Sequence, residues 1–351
     1  MTSDDVQGTT ASTRSYYSLR VLLTWLAICF TLCLLFSVIA FVSLLNKNIL
    51  PEELGPQTIP YTNVPRHYDV QLQFNTEYNQ SNTSFHGQVA LLFSSRHVSQ
   101  RLFIHRGKYL RITDFSLIAV DQSNEKRSIK KGTYNAASEI QTFVLSFDTA
   151  IDELYLFTMK FTGKMTVEHG PKEFTYTSNN GEQRYGVWFA TLQRNSKGLR
   201  YLFPCMDSNE FPAEYNITIT RKVSLRALSN FIAKRTLQSD ANFMIDYFPP
   251  ITVLSPYQFA LVLCDFQYRR ENHNGTTISV YSQYDMLQNV SFRRILQFMN
   301  PTSNIIGKND AITIPDVQTV YRPGISLINE KEFASESKEL SITSKPNIEN
   351  K

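Results

Sequence analysis

The longest feature of the hydropathy pattern is Val21 to Leu45, 25 residues without a charge and broken only by Thr24, Thr31, Ser37 and Ser43. Such a run is long enough to cross a hydrocarbon core of about 30 Å, and it predicts a single transmembrane helix. A cleaved signal peptide is the competing reading, but its apolar region spans about 7–15 residues and ends at a small-residue cleavage site. Here Phe41 to Leu45 stays apolar. Beyond Leu45, Pro51, Gly55, Pro56 and Pro60 break both helix and sheet, so 46–60 reads as a stalk.

From Tyr61 onward the chain consists of short runs rich in β-branched and aromatic residues, separated by turn formers such as Asn179-Asn180-Gly181. These runs predict strands at Tyr68–Phe74, Gln88–Phe93, Leu102–His105, Asp114–Val120, Gln141–Phe147, Leu154–Phe161, Gly186–Ala190, Tyr215–Thr220 and Gln258–Phe266. Many short strands without intervening amphipathic helices predict a mainly β fold, antiparallel sheets packed as a sandwich. Only Met286 to Met299 has a helical period, with Leu287, Val290, Ile295 and Phe298 on one face and Asn300-Pro301 as a stop. After Phe333 the chain is polar and predicts a disordered tail over 333–351.

Composition adds little to this pattern. A content of 42% hydrophobic and 13% aromatic residues suffices for a core, and the formal charge of +4 is spread without a basic run, which argues against nucleic acid as a partner. Charge does orient the anchor. Arg14 and Arg20 precede the apolar run while Glu52 and Glu53 follow it, so the positive-inside bias predicts a type II protein with a cytosolic tail of 1–20 and a lumenal or extracellular ectodomain. The plasma membrane is the expected location.

Sequons for N-glycosylation start at Asn79, Asn82, Asn216, Asn274 and Asn289, all on the predicted exoplasmic side. Asn300 is excluded by Pro301. Cys29 and Cys33 lie inside the anchor, whereas Cys205 and Cys264 share an oxidising compartment and are candidates for a disulfide. Two buried free thiols are the competing reading.

No two of His67, His86, His97, His105, His169 and His273 stand in the H-E-x-x-H spacing that places two imidazoles on one helical face for zinc. P-loop, G-x-S-x-G and C-x-x-C motifs are also missing.

Gln193, Phe203, Pro204, Cys205, Asp207, Ala213, Tyr215, Ile217 and Ile219 fall at the spacing of the Thr-Gln, Phe-Pro-Cys-x-Asp-Glu-Pro and Phe-x-Ile-x-Ile pattern. In this the chain resembles the N-terminal domain of the aminopeptidase N family of zinc metallopeptidases. Pro65 to Asp69, Phe85-His86-Gly87, Ile104-His105, Leu228-Ser229-Asn230 and Leu254 to Phe266 extend the resemblance over Tyr61 to Glu332. It implies a β-sandwich or saddle domain at 61–270, a truncated start of the peptidase domain at 271–332, and a role for Gln193 in holding a substrate amino terminus. Asp207 and Pro204 read as structural, fixing a turn.

One departure bears on activity. Ile314-Pro315-Asp316 resembles the segment preceding the family's exopeptidase motif Gly-Ala-Met-Glu-Asn, but the motif positions hold Val320, Tyr321, Arg322, Pro323 and Gly324. The family Glu provides an anion for the substrate ammonium; Pro323 provides none. Only 19 residues follow Glu332, none of them His. The expectation is therefore a catalytically inactive, membrane-anchored binding or regulatory ectodomain without a cofactor, zinc being implied only for full-length family members. The alternative is a shortened form of a type II zinc aminopeptidase that removes N-terminal residues from peptides. A homodimer, a heterodimer with a full-length aminopeptidase, or a peptide ligand would be the partner. Loss of the catalytic lobe would also expose an apolar patch.

Overall fold

A computed structural model of the chain describes residues 23–35, 37, 58–75, 84–120, 126–165, 168–178, 180–191, 198–251, 256–273, 275–283, 287 and 307–333. The chain divides into two compact units, Met1–Gly55 and Pro56–Lys351. In the first, 23–35 is helical with exposed apolar side chains. The Thr31 hydroxyl donates to the Ile28 carbonyl (2.8 Å) and that of Ser37 to the Cys33 carbonyl (2.7 Å). Both hydroxyls thus find acceptors within their own segment. Among the described residues no helix is long and apolar enough to cross a membrane. The other positions of the expected span 21–45 lie outside the described residues, as do the tail 1–20 and nearly all of the stalk.

The second unit is built from four sheets, with strands numbered in chain order. The largest has eight strands in the order β13 (Arg235–Gln238), β14 (Phe243–Tyr247), β11 (Glu214–Lys222), β1 (Asn63–Asn75), β2 (Ser84–Ser95), β8 (Leu154–Lys164), β4 (Leu110–Ala119) and β5 (Lys126–Arg127). A three-stranded sheet runs β3 (Arg101–His105), β7 (Ile140–Leu145), β6 (Ile129–Asn135). A four-stranded sheet runs β12 (Arg226–Ser229), β15 (Ala260–Cys264), β10 (Gln183–Ala190), β9 (Lys172–Thr177). The last runs β16 (Gln267–His273), β17 (Thr276–Ser282), β18 (Lys308–Ile314), β20 (Ile325–Asn329), β19 (Val320–Arg322).

Each of the nine predicted strands is present and the expected antiparallel pairing dominates, with three parallel exceptions. β1 pairs with β11 in parallel, and β18 runs parallel to both β17 and β20. Parallel neighbours need long crossovers rather than hairpins, and adjacency of this kind leaves no mark on the strands' own residues.

Side-chain alternation assembles the layers. In β1, Tyr68, Val70, Leu72 and Phe74 face inward while Asp69 and Gln71 are exposed. In β15 every residue is buried, because the strand has no solvent face. Leu261 and Leu263 join the large core with Val187 and Phe189, whereas Ala260, Val262 and Cys264 join a second core with Trp188, Ile312, Ile314 and Leu327. The four-stranded sheet is therefore the middle layer of three. The position 270/271 falls inside β16, and the strands β16 to β20 form the third layer of the second unit. On the far face of that layer Ile278, Val280, Ala311 and Ile328 are buried with Leu287. Apart from Leu287, which is helical, the predicted helix Met286–Met299 lies outside the described residues, as does the tail beyond Phe333.

Candidate functional site

The Phe-Pro-Cys-Met-Asp segment folds into a buried polar knot. One oxygen of the Asp207 carboxylate accepts the backbone N–H groups of Gly198 (3.0 Å) and Arg200 (3.3 Å) and the Nε of Arg200 (2.9 Å). The same guanidinium donates through Nη2 to the Asp207 carbonyl (3.1 Å), and its Nη1 lies 3.7 Å from Glu139. Glu139 also accepts from the Tyr201 hydroxyl (2.9 Å). The backbone N–H of Asp207 donates to His105 Nδ1 (3.0 Å), which leaves the ring proton of a neutral His105 on Nε2. Met206 N–H donates to the Tyr68 hydroxyl (3.0 Å).

A buried charge pair holds only when its remaining hydrogen-bonding capacity is met, and here most of it is. The knot fixes the chain where it emerges from 192–197, the segment that carries Gln193. Gln193 itself lies outside the described residues. Arg200 and Glu139 escape sequence reading, although a buried Asp in an apolar motif signals that a cation must be near.

The second part of the site is the turn between β19 and β20, where the resemblance places the exopeptidase motif. Asn230, fully buried, donates to the carbonyls of Gln258 (2.9 Å) and Pro323 (2.8 Å) and accepts from Ala260 N–H (2.9 Å). The buried Lys308 ammonium donates to the Ser229 carbonyl (2.7 Å) and pairs with Asp310, whose backbone N–H donates to the Gly324 carbonyl (3.1 Å). Gly324 takes φ 76°, a left-handed conformation open to glycine at little cost.

Arg322 reaches the end of β10. Its Nη2 donates to the Thr191 carbonyl and its Nη1 to the Tyr321 carbonyl (2.8 Å), while the Thr191 hydroxyl donates to the Tyr257 carbonyl. Its Nε is buried without an acceptor. Burial pushes the Arg322 guanidinium below its ordinary pKa, opposed by the Tyr257 phenol. The arrangement is a cationic group at a rigid turn, with no carboxylate beside it among the described residues.

The other candidate residues are dispersed. Asn216, on β11, donates from Nδ2 toward His67 Nε2 (3.0 Å), and His67 Nδ1 faces Glu214 (3.1 Å). Asn79, Asn82, Asn274 and Asn289 lie outside the described residues. Cys205 and Cys264 are free thiols in different cores, so no bridge joins them, which corrects the disulfide candidate. Burial pushes the Cys264 thiol up to about 12 and Cys205 well above its ordinary value.

All six histidines are described, and no three His, Cys, Asp or Glu among the described residues gather into a metal-holding group.

Comparison with known proteins places this geometry. Residues 64–257 match the Peptidase M1 N-terminal domain. The chain is 25% identical to endoplasmic reticulum aminopeptidase 2 of Homo sapiens over 279 residues, 76% of this chain and 28% of that protein. It is 23% identical to aminopeptidase N of Rattus norvegicus over 294 residues, 79% of this chain and 30% of that protein. It is 23% identical to aminopeptidase Q of Mus musculus over 295 residues, 75% of this chain and 52% of that protein. The chain thus spans under a third of the first two relatives, and the family match covers the N-terminal domain rather than a catalytic zinc site. With the matched residues running from β1 past the Asp207 knot to Tyr257, the chain belongs to the family of the peptidase M1 N-terminal domain.

Proposed function

We propose that this chain forms a membrane-anchored, aminopeptidase-like ectodomain that binds peptides or protein partners and does not trim amino termini. The observation that carries this reading is the turn at Pro323. Where the family places a Glu for the substrate ammonium, Pro323 has no charge and its carbonyl is occupied by Asn230 (2.8 Å). The charge beside it is the Arg322 guanidinium. Like charges 4 Å apart repel by about 4 kcal/mol at an effective dielectric of ~20, which opposes an incoming ammonium.

An apolar run at 21–45 supports the anchor. Relatives named as an endoplasmic reticulum enzyme and as an ectoenzyme support a lumenal or extracellular ectodomain. Glycosylation at the sequons belongs to the same reading, as does pairing with itself or with a full-length aminopeptidase.

A second reading makes this chain the N-terminal part of a longer zinc aminopeptidase. Its coverage of 30% of rat aminopeptidase N favours that, and the residues at Val320 to Gly324 oppose it. The test is to purify the full chain from a secretory host in detergent, then measure zinc content and hydrolysis of a panel of aminoacyl fluorogenic substrates. The expected result is neither zinc nor turnover. Stoichiometric zinc with turnover would overturn the proposal.

A further inference from the structure

Two guanidinium groups share one aromatic ring where the margins of the middle and third layers come together. β12 is an end strand of the four-stranded sheet and β16 of the five-stranded one. Arg226, which opens β12, and Arg270, on β16, each lie 5.1 Å from the centroid of the Tyr268 ring. The ring is 40% exposed and both arginines are exposed, so the cluster is open to solvent.

Strand alternation gathers these groups. Tyr268 stands opposite Tyr281 and Arg270 opposite Ser279, on the face of β16 turned toward the core in which Tyr281 is buried. Arg269 and Glu271 alternate to the other face, where Arg269 donates to the Leu287 carbonyl (3.3 Å). The Tyr268 ring lies 5.2 Å from that of Tyr281, and Arg270 Nε donates to the Ser279 hydroxyl (3.1 Å). Rings and a hydroxyl thus hold the two cations, and neither has an ion-pair partner among the described residues. Asp310, whose charge acts on Tyr281, is paired with Lys308, and Asp265 is paired with Arg184 (2.8 Å). Like charges held on one ring repel each other, and an oxyanion that bridges them relieves the repulsion. Guanidinium planes set over a ring keep N–H edges free for the oxygens of such a group, and the ring orders them before binding.

We propose that Arg226, Tyr268 and Arg270 form a docking surface for the sulfate groups of an acidic sugar chain. Charge complementarity selects an anion, and a sulfate ester offers three oxygens to two guanidinium forks where a carboxylate offers two. This rests on the ectodomain reading above, which sets the surface outside the cytosol and so among sulfated sugars rather than nucleic acids. It adds a class of ligand to the binding role proposed there.

The test uses the full chain in nonionic detergent micelles and three labelled probes: a heparin-derived hexasaccharide, the same hexasaccharide with its sulfates removed and its carboxylates kept, and a pentaglutamate peptide. Binding is measured by fluorescence anisotropy at ~50 and ~300 mM salt. The sulfated sugar should bind about tenfold or more tighter than either other probe, with the preference shrinking in high salt. The double variant Arg226→Gln/Arg270→Gln should lose that preference. Lys130→Gln/Lys131→Gln removes the same charge from two exposed positions on β6 and should keep it within about twofold.

Unmutated protein that fails to bind the sulfated sugar, or binds it no tighter than the desulfated one, overturns the proposal. Pentaglutamate bound as tightly as the sulfated sugar overturns it too, in favour of an acidic peptide. A preference that survives in the arginine variant, or that falls equally in the lysine variant, overturns the assignment to this surface. Aminopeptidase turnover by the same preparation would instead overturn the non-trimming reading, and a sulfate preference measured alongside it would leave the surface standing.

Discussion

The side-chain amide of Asn230 donates to the carbonyl of Pro323 at 2.8 Å, tying the strand end of the middle layer to the turn of the third. The same side chain serves Gln258 and Ala260. Asn230→Ala removes the amide that serves two carbonyls and one N–H, and a buried polar group costs about 1–3 kcal/mol when unmet. We expect a loss of about 2–4 kcal/mol, read as a lower urea midpoint with an unchanged slope. Asn230→Asp should be at least as damaging, since a carboxylate would face two carbonyl oxygens.

Phe85 and Gly163 are cross-strand partners, as are Gly87 and Phe161, so two Phe-x-Gly segments pair head to tail. A Cβ at Gly163 would lie 2.4 Å from the fully buried Phe85 ring and 2.6 Å from Leu110. The ring has no solvent to swing into. Gly163→Ala should therefore cost about 1–3 kcal/mol by overpacking, whereas Gly181→Ala, with nothing within 4 Å but φ 78°, should show a smaller strain cost. Thermal melts of the two variants side by side check the order.

Cys205 and Cys264 should resist alkylation in the native state. The thiolate is the reactive form, and burial pushes Cys264 up to about 12. At pH 8 iodoacetamide should label both at least about a hundredfold more slowly than in guanidinium-unfolded protein, and non-reducing mass spectrometry should show no bridge between them. A Cys205–Cys264 disulfide would contradict the separate cores.

Glu330 introduces a pH dependence. Burial first and then the nearby Asp316 charge raise its carboxyl above the ordinary 4.5, while its Oε1 accepts from Gln283 Nε2 (2.9 Å). Between 4.5 and the raised value the folded chain holds more protons than the unfolded chain, so stability falls as pH rises through that window. Glu330→Gln keeps the acceptor and should flatten this decline. Urea midpoints from pH 4.5 to pH 7 for both proteins measure it.

The strands that sequence reading misses share a physical cause. β16 reads Gln-Tyr-Arg-Arg-Glu-Asn-His and is exposed at every position. It is a strand because β17 offers it hydrogen bonds, not because it buries a face. β18 opens Lys-Asn-Asp, a turn-like composition, yet all three residues are buried because Lys308 and Asp310 neutralise each other and the Ser229 carbonyl takes the ammonium.

The candidate site divides in the same way. Asp207, Asn230 and Gly87 stand out in the sequence through their motifs, but their pairing with Arg200, Pro323 and Phe161 does not. Nothing in the Val-Tyr-Arg-Pro-Gly run announces that its half-buried arginine donates to the Thr191 carbonyl, just past β10.

By itself the sequence determined the mainly β class, nine strands of the second unit, the apolar run at 21–45, the family likeness and the missing charge at Pro323. These follow from local composition and spacing, which each segment carries on its own. Only the tertiary structure decided the parallel β1–β11 pairing, the stacking of β16 to β20 as a third layer, the separation of the two cysteines and the bond from Arg322 to the Thr191 carbonyl. Each depends on which surfaces meet at long sequence separation, where burial and the loss of water set the energy of a polar group.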